Sequence, residues 1–282
     1  MRRSLTKAHW IAFLNDKALR LFMLILVLFS VFPFVYMFII SLMDTASMKL
    51  SWERLVNATY TLDNYKLLFW GDGRFGKYIL NSSIVTIYAC VVTCVVSSMA
   101  AYVFAKKRFT GNRTLYNLYV MTMMIPGQVI LISQFLVVKK LGLLNTYTGI
   151  AIPQYYAYGV IMLRSFMKNL PSELFEAADI DGCSESRKFI SIVIPLMKPA
   201  LISLTIYTFF NVWGNLLWPL VVASGDKMTI TQAIATMQSG MSVTHYGSMM
   251  AASTIAFLPP FILYLILQKQ FVEGIAVSGL KG

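Results

Sequence analysis

Two groups of residues in this 282-residue chain have types and spacings that can do chemistry. The first is Tyr207, Phe209, Phe210, Asn211, Trp213, Asn215 and Trp218, gathered in one apolar run. An aromatic ring can stack on the apolar face of a sugar, and a carboxamide can bind its hydroxyls. Gln128 and Gln134 add two amides in another apolar run. A polar group facing hydrocarbon is costly, so these glutamines are expected to face a bundle interior or a water-filled path. At any one position the rings can equally be packing or interface anchors. The chemistry on offer is recognition without bond making.

The second group lies in Leu170–Pro199, the most charged stretch of the second half, between two long apolar runs. Pro171 and Ser172 predict a helix start, since Pro fits a first turn and Ser can cap free N–H groups. Glu173 and Glu176 then sit near the positive end of the helix dipole. Gly182 can take the left-handed conformation that ends such a helix. Ser184 is placed to cap a second short helix, which Pro195 is expected to stop. Leu174, Ala177, Ala178 and Asp181 share one helical face. Two alanines there make a flat patch that another protein can approach, with Glu176 beside it for a basic partner.

Other chemistries are excluded. His9 and His245 stand alone, and Cys90, Cys94 and Cys183 form no C-x-x-C pair, so no metal site is expected and the cysteines read as small buried hydrophobes. No phosphate-binding G-x-x-x-x-G-K-[ST] loop is present, so any ATP must be hydrolysed by another chain. No nucleophile–base pair is visible, and the chain does not read as an enzyme.

The elements that must hold these groups are membrane helices. The chain is 57% hydrophobic and 13% charged, against about 25% charged for a soluble domain. Apolar runs long enough to cross a bilayer recur, giving an all-α integral membrane protein with six expected spans. These are roughly 19–43, 78–105, 115–138, 149–167, 201–222 and 249–267, with Pro126 breaking the third. Residues 1–18 read as an amphipathic interfacial N-terminus, 19–267 as the transmembrane domain and 268–282 as a tail. The tail is apolar enough to enter a protein interface, or to continue the last helix. Segments 44–77 and 224–248 are expected as outer loops. Roughly two-thirds of the Lys and Arg fall at both termini, in the Lys106 loop and in the 164–198 segment, which puts both termini and those segments in the cytoplasm. The net charge of +12 reflects that bias rather than nucleic-acid binding. No Asp or Glu falls in the expected spans, which disfavours a self-sufficient ion-coupled carrier.

Glu176-Ala177-Ala178, three residues, Gly182, nine residues, Ile192, one residue and Ile194-Pro195 resembles the Glu-Ala-Ala (EAA) loop of ABC importer permeases. Ile194 stands where that family usually carries Leu. Trp213-Gly214-Asn215-Leu216-Leu217-Trp218-Pro219 resembles the carbohydrate branch, which usually has Trp-Asn at its first two positions; Ala100–Ala105 and the Gly279–Gly282 ending are similar too. The resemblance, closest to the maltose-type bacterial sugar importers, covers nearly the whole chain. It implies a permease subunit that passes an oligosaccharide or related sugar across the cytoplasmic membrane. It further implies a second permease subunit, two ATPase subunits that bind the ATP and Mg, and an extracytoplasmic solute-binding protein; no cofactor is expected in this chain. Segment 168–198 becomes a cytoplasmic coupling-helix loop, with Glu173, Glu176, Ala177, Ala178, Asp181 and Gly182 toward the ATPase. Gln128, Tyr207, Asn211, Trp213 and Asn215 become the candidate substrate path. A permease for a non-sugar solute is the alternative.

Overall fold

The computed structural model describes residues 2–43, 56–71, 73–155, 157–240 and 246–279, with side chains described within 17–43, 56–71, 73–155, 157–238 and 246–268. His245 and loop residues 44–55 lie outside the described residues, as do the side chains of 269–282 and those of His9 and the rest of the expected interfacial N-terminus before Lys17.

In chain order the helices are α1 (Arg2–Ser41), α2 (Asp63–Lys66), α3 (Phe75–Lys106), α4 (Asn112–Thr122), α5 (Gly127–Lys140), α6 (Tyr147–Ala151), α7 (Tyr158–Lys168), α8 (Glu173–Ile180), α9 (Glu185–Lys188), α10 (Ile194–Leu196), α11 (Lys198–Trp213), α12 (Leu217–Val222), α13 (Ile230–Gly240) and α14 (Tyr246–Gly279). Among the described residues, Lys17–Ser41, Phe75–Lys106 and Tyr246–Gln268 are long and apolar enough to cross a membrane as single helices. Two bent pairs raise the number to five: α4 with α5, turned by 99°, and Glu185–Leu196 with α11, turned by 75°. The first bend sits at Pro126, where the sequence placed a break. The fourth expected span is interrupted: α6 passes into a 3-10 turn at Ile152–Gln154, and α7 begins only at Tyr158.

Two segments are helical outside the expected spans. The segment expected as an outer loop contains α13, whose Ile230 and Ala233 are buried. Its apolar residues Ile230, Ala233, Ile234 and Met237 follow helical spacing, but the polar residues between them and the short length masked the pattern. At the other end, the backbone of α14 runs on to Gly279, so the expected tail begins as a continuation of the last helix.

Contacts divide the chain into two units. In the one comprising 1–72 and 237–255, the end of α1 is closed by a side chain from downstream. The Asn64 amide donates to the carbonyls of Ser41 and Met43 at 3.0 and 2.8 Å and accepts from the Ser248 hydroxyl at 3.2 Å. The Ser41 carbonyl is one that a helix end leaves without an internal partner, and Met43 lies two residues beyond that end.

In the unit comprising 73–236 and 256–282, α3 is the central post. Ser82, Thr86, Ala89, Thr93, Ser97 and Ala101 recur at three- and four-residue spacing along it and are all buried. Such small residues let neighbouring backbones approach closely, the packing that apolar solvent favours. α7 and α11 pack along this stripe. Near one end, Val85, Ala89, Ile150, Ala151, Val212 and Trp218 form one core; near the other, Ala101, Tyr102, Val160, Leu163, Met167, Val193, Met197 and Leu204 form a second. The first end is pinned by Asn81, which is fully buried. Its amide donates to the Asp226 and Met228 carbonyls at 2.8 and 2.9 Å and accepts from the Tyr147 hydroxyl at 2.9 Å.

Candidate functional site

The segment after α7 forms a short helical hairpin at the opposite end of α3. Ser172 precedes α8 but does not cap it with its side chain: its own φ and ψ of −70° and −28° are helical, and its carbonyl instead accepts from Phe175 N–H at 2.9 Å. Glu173 and Glu176 occupy the first turn of α8, as expected. Gly182 has φ +71°, the left-handed region that glycine adopts freely. Around it Cys183 N–H donates to the Ala178 carbonyl at 2.9 Å and Gly182 N–H to that of Asp179 at 3.1 Å, the paired bonds of a Schellman turn. Ser184 then caps α9, its hydroxyl accepting from Arg187 N–H at 3.4 Å.

The expected flat patch is only partly present. Leu174, Glu176, Ala177, Ile180 and Asp181 are exposed, Ile180 at 87%. Ala178 is 5% exposed and faces its own chain. It stands one hundred-degree step round from Ala177, on the side of half-buried Phe175, whose ring packs near Tyr102. Pro195 does not stop the second helix either. A π turn at Phe189–Val193 precedes it, α10 carries Pro195 within it, and the chain bends only at Met197. The wider turn accommodates the proline ring and its missing N–H.

The feature that sequence reasoning missed is the charge network beneath this hairpin. The Lys188 side chain is only 4% exposed. Its ammonium pairs with Asp179 of α8 and, at 2.9 Å, with Glu185 of its own turn. The Glu185 carboxylate also pairs with Lys107 and accepts from the Tyr102 hydroxyl at 2.8 Å, both at the end of α3. Lys107, then Lys188 and Tyr102, hold the Glu185 carboxyl down at about 2. Asp179, then Glu185, raise the Lys188 ammonium above its ordinary value. Beside the network, Lys106 donates to the Leu170 carbonyl at 2.9 Å and lies 4.6 Å from the Phe175 ring centroid. The Glu185–Lys188 spacing was a readable signal, but the burial of Lys188 was not.

The amide and aromatic group divides in two. Tyr207 and Asn211 lie four residues apart on α11; Tyr207 is 37% exposed, its ring 4.6 Å from that of Tyr158. The Asn211 amide donates to the Tyr207 carbonyl at 2.8 Å. Gln128 is exposed at the start of α5 rather than directed into the core of its own chain, while Gln134 is half-buried and donates to the Pro153 carbonyl at 3.4 Å. Trp213 and Asn215, expected to face solute, are instead committed to the fold. Trp213 is 6% exposed, stacks on Phe209 at 5.6 Å and donates its indole N–H to the Ala256 carbonyl at 3.0 Å. Asn215 donates at 2.8 Å to Gln154, itself 4% exposed, and accepts from Trp218 N–H at the start of α12. Gly214 explains the difference: α11 ends there, so Asn215 lies in the break between helices, where its amide satisfies the new helix end.

The family of binding-protein-dependent transport system inner membrane components matches residues 94–277. Over 90% of this chain and 92% of the relative, the sequence is 33% identical to the arabinooligosaccharides transport system permease protein AraQ of Halalkalibacterium halodurans. It is 34% identical to the sn-glycerol-3-phosphate transport system permease protein UgpE of Pectobacterium atrosepticum, over 72% of this chain and 74% of that one. The fold is similar, with a TM-score of 0.76 at 23% identity, to a chain in the crystal structure of a bacterial ABC transporter involved in the import of the acidic polysaccharide alginate, covering 89% of this chain and 94% of that one.

Proposed function

The chain belongs to the binding-protein-dependent transport inner membrane components, and from that premise we propose that it is the permease subunit of an ATP-driven importer for an oligosaccharide or related neutral sugar. The observation that carries the reading is α8: a short exposed helix with Leu174, Ala177 and Ile180 outward and Glu176 beside them, set by a Schellman turn at the end of an apolar bundle. An amphipathic helix of this kind seats in a groove on a partner. The partner is an ATPase, since this chain carries no phosphate loop. Glu173, Glu176, Ala177, Asp181 and Gly182 form the contact or set its turn, with Ala178 supporting it from beneath.

The topology has six spans with both termini and the 168–198 loop in the cytoplasm; the broken α6–α7 segment, the bent α4–α5 pair and α11 make up the number, with Glu185–Leu196 on the cytoplasmic side of the bend that leads into α11. A second permease subunit, two ATPase subunits holding ATP and Mg, and an external solute-binding protein complete the machine. The tail beyond Leu267 reaches toward the ATPase subunits.

The substrate path takes Tyr207, Asn211 and Gln128. Gln128 is exposed on this chain and faces the path where the second permease completes it. Two relatives bear on the cargo: one is a permease for arabinooligosaccharides and the other for a glycerol phosphate. Residues 115–138 and 201–222 contain no Lys or Arg, so this chain's share of the path offers rings and amides but no cation to a phosphate. That favours the neutral sugar. Vesicles containing the complete transporter, supplied with the cognate binding protein and a panel of oligosaccharides and glycerol phosphate, test the reading. Uptake of a neutral sugar that requires ATP and the ATPase subunits is expected. Uptake by this chain without them would make it a self-sufficient carrier instead.

A further inference from the structure

The Glu-Ala-Ala segment explains how a partner can grip the hairpin, but not how the hairpin grips the membrane helices. Downstream of α8 the backbone turns at a glycine hinge, Gly182 at φ +71°, and α8 faces inward with Ala178 and Phe175, whose ring lies near Tyr102 and the Lys106 ammonium. What bridges the hinge is Lys188. It is almost fully buried, and burying an ammonium is unfavourable unless its charge is matched nearby. It is matched on both sides of the hinge. Asp179 lies on α8, before Gly182, and Glu185 lies after it. Glu185 in turn holds Tyr102 and Lys107 at the end of α3. The charges therefore form one unbroken path, Asp179 to Lys188 to Glu185 to Tyr102 and Lys107, from the exposed helix to the central post of the bundle.

We propose that Lys188 is a positioning residue for transport, the strut through which displacement of α8 is passed to α3. This inference rests on the reading of the chain as a permease driven through α8. With the strut in place, α8 cannot pivot about Gly182 without separating a buried cation from a carboxylate. Without it, α8 holds α3 only through the Phe175 contacts with Tyr102 and Lys106, less of its displacement reaches α3, and ATP is hydrolysed with less solute moved. Asp179 is the outer end of the strut; at 63% side-chain exposure it can be altered without unfolding a core.

The test uses the complete transporter in vesicles and reads solute taken up per ATP hydrolysed. Lys188→Met, which keeps the length and removes the charge, is expected to lower that ratio by roughly fivefold while hydrolysis continues, a change within the range that coupling mutations produce. Asp179→Asn is expected to lower it in the same direction, and it decides the matter if Lys188→Met does not assemble. Lys188→Arg, which keeps a cation, is expected to retain more of the ratio than Lys188→Met. A merely structural lysine would change the amount of assembled complex and leave the ratio alone. An assembled Lys188→Met or Asp179→Asn complex with the wild-type ratio overturns the strut and leaves the permease reading standing. A wild-type complex with no ATP-dependent uptake overturns the permease reading, and the strut with it.

Discussion

Gly159 on α7 lies so close to Ser97 on α3 that a β-carbon added at residue 159 would fall 2.4 Å from the Ser97 hydroxyl oxygen and 3.2 Å from the nearer Leu204 methyl. Three helices, α3, α7 and α11, meet at this point. Gly159→Leu is expected to cost about 1–3 kcal/mol through overpacking. Adding Ser97→Gly should return part of that loss. Thermal unfolding of the purified chain in detergent measures both; a Gly159→Leu protein as stable as wild type would contradict the close crossing.

Asn211 and Asn215 should behave differently although they are four residues apart. Asn215→Leu removes a partner from buried Gln154 and from the first turn of α12, so a stability loss of about 1–3 kcal/mol is expected. Asn211→Leu breaks only a bond to its own helix and should leave unfolding unchanged. If Asn211 lines the path, the same change lowers sugar uptake roughly tenfold, the equivalent of one hydrogen bond at about 1.4 kcal/mol. Paired unfolding and uptake measurements on the two variants separate these outcomes.

Gly182→Leu forces a branched side chain into the left-handed region, at a cost of roughly 1–2 kcal/mol. The turn should open, and uptake per ATP should fall while the protein still inserts. Gly182→Asn, whose side chain tolerates that region, should stay close to wild type. Full coupling in the leucine variant would show that the turn is not needed to set α8.

The charge network has a predictable pH window. The Glu185 pKa is depressed from its ordinary 4.5 to about 2, chiefly by Lys107. A depressed carboxyl contributes stability that is present above the unfolded value and lost as pH falls through the folded one. Lys188 is raised above 10.5, so its contribution is present below that value and lost as pH rises beyond it. The network is therefore constant from about pH 5 to pH 10. Glu185→Gln should lower the melting temperature by a fixed amount across that window, and the gap from wild type should narrow below pH 4.5 and close toward pH 2. A gap that widens on acidification would assign the stability to other groups.

What could be read from the sequence was local. The left-handed Gly182, the Ser184 cap and the break at Pro126 each depend on a few consecutive residues, and each is found where the chain's own chemistry puts it. What could not be read depends on distant partners. Gln154 meets Asn215 across 61 positions, and Tyr102 meets Glu185 across 83. No periodicity announces that such side chains will meet, so Asn215 read as a path residue and Lys188 read as one more cytoplasmic charge. Ala178 failed for a subtler reason: helical spacing defines an arc, and the arc of the exposed face ends between Ala177 and Ala178.

Asn81 also says something about the order in which the protein is made. Its buried amide accepts from Tyr147, 66 residues later, and donates to the carbonyls of Asp226 and Met228, 145 and 147 residues later. A ribosome adding about 5–20 residues per second leaves α3 in the membrane for roughly 10–30 seconds before those carbonyls exist. During that interval the amide lacks those two acceptors, and its hydrogen bonds fall to water or to the insertion machinery. α3, the post on which the finished unit is built, is thus the helix whose final seating waits for the late arrival of the Asp226 turn. A nascent chain arrested before residue 226 is a natural object in which to look for an insertion intermediate.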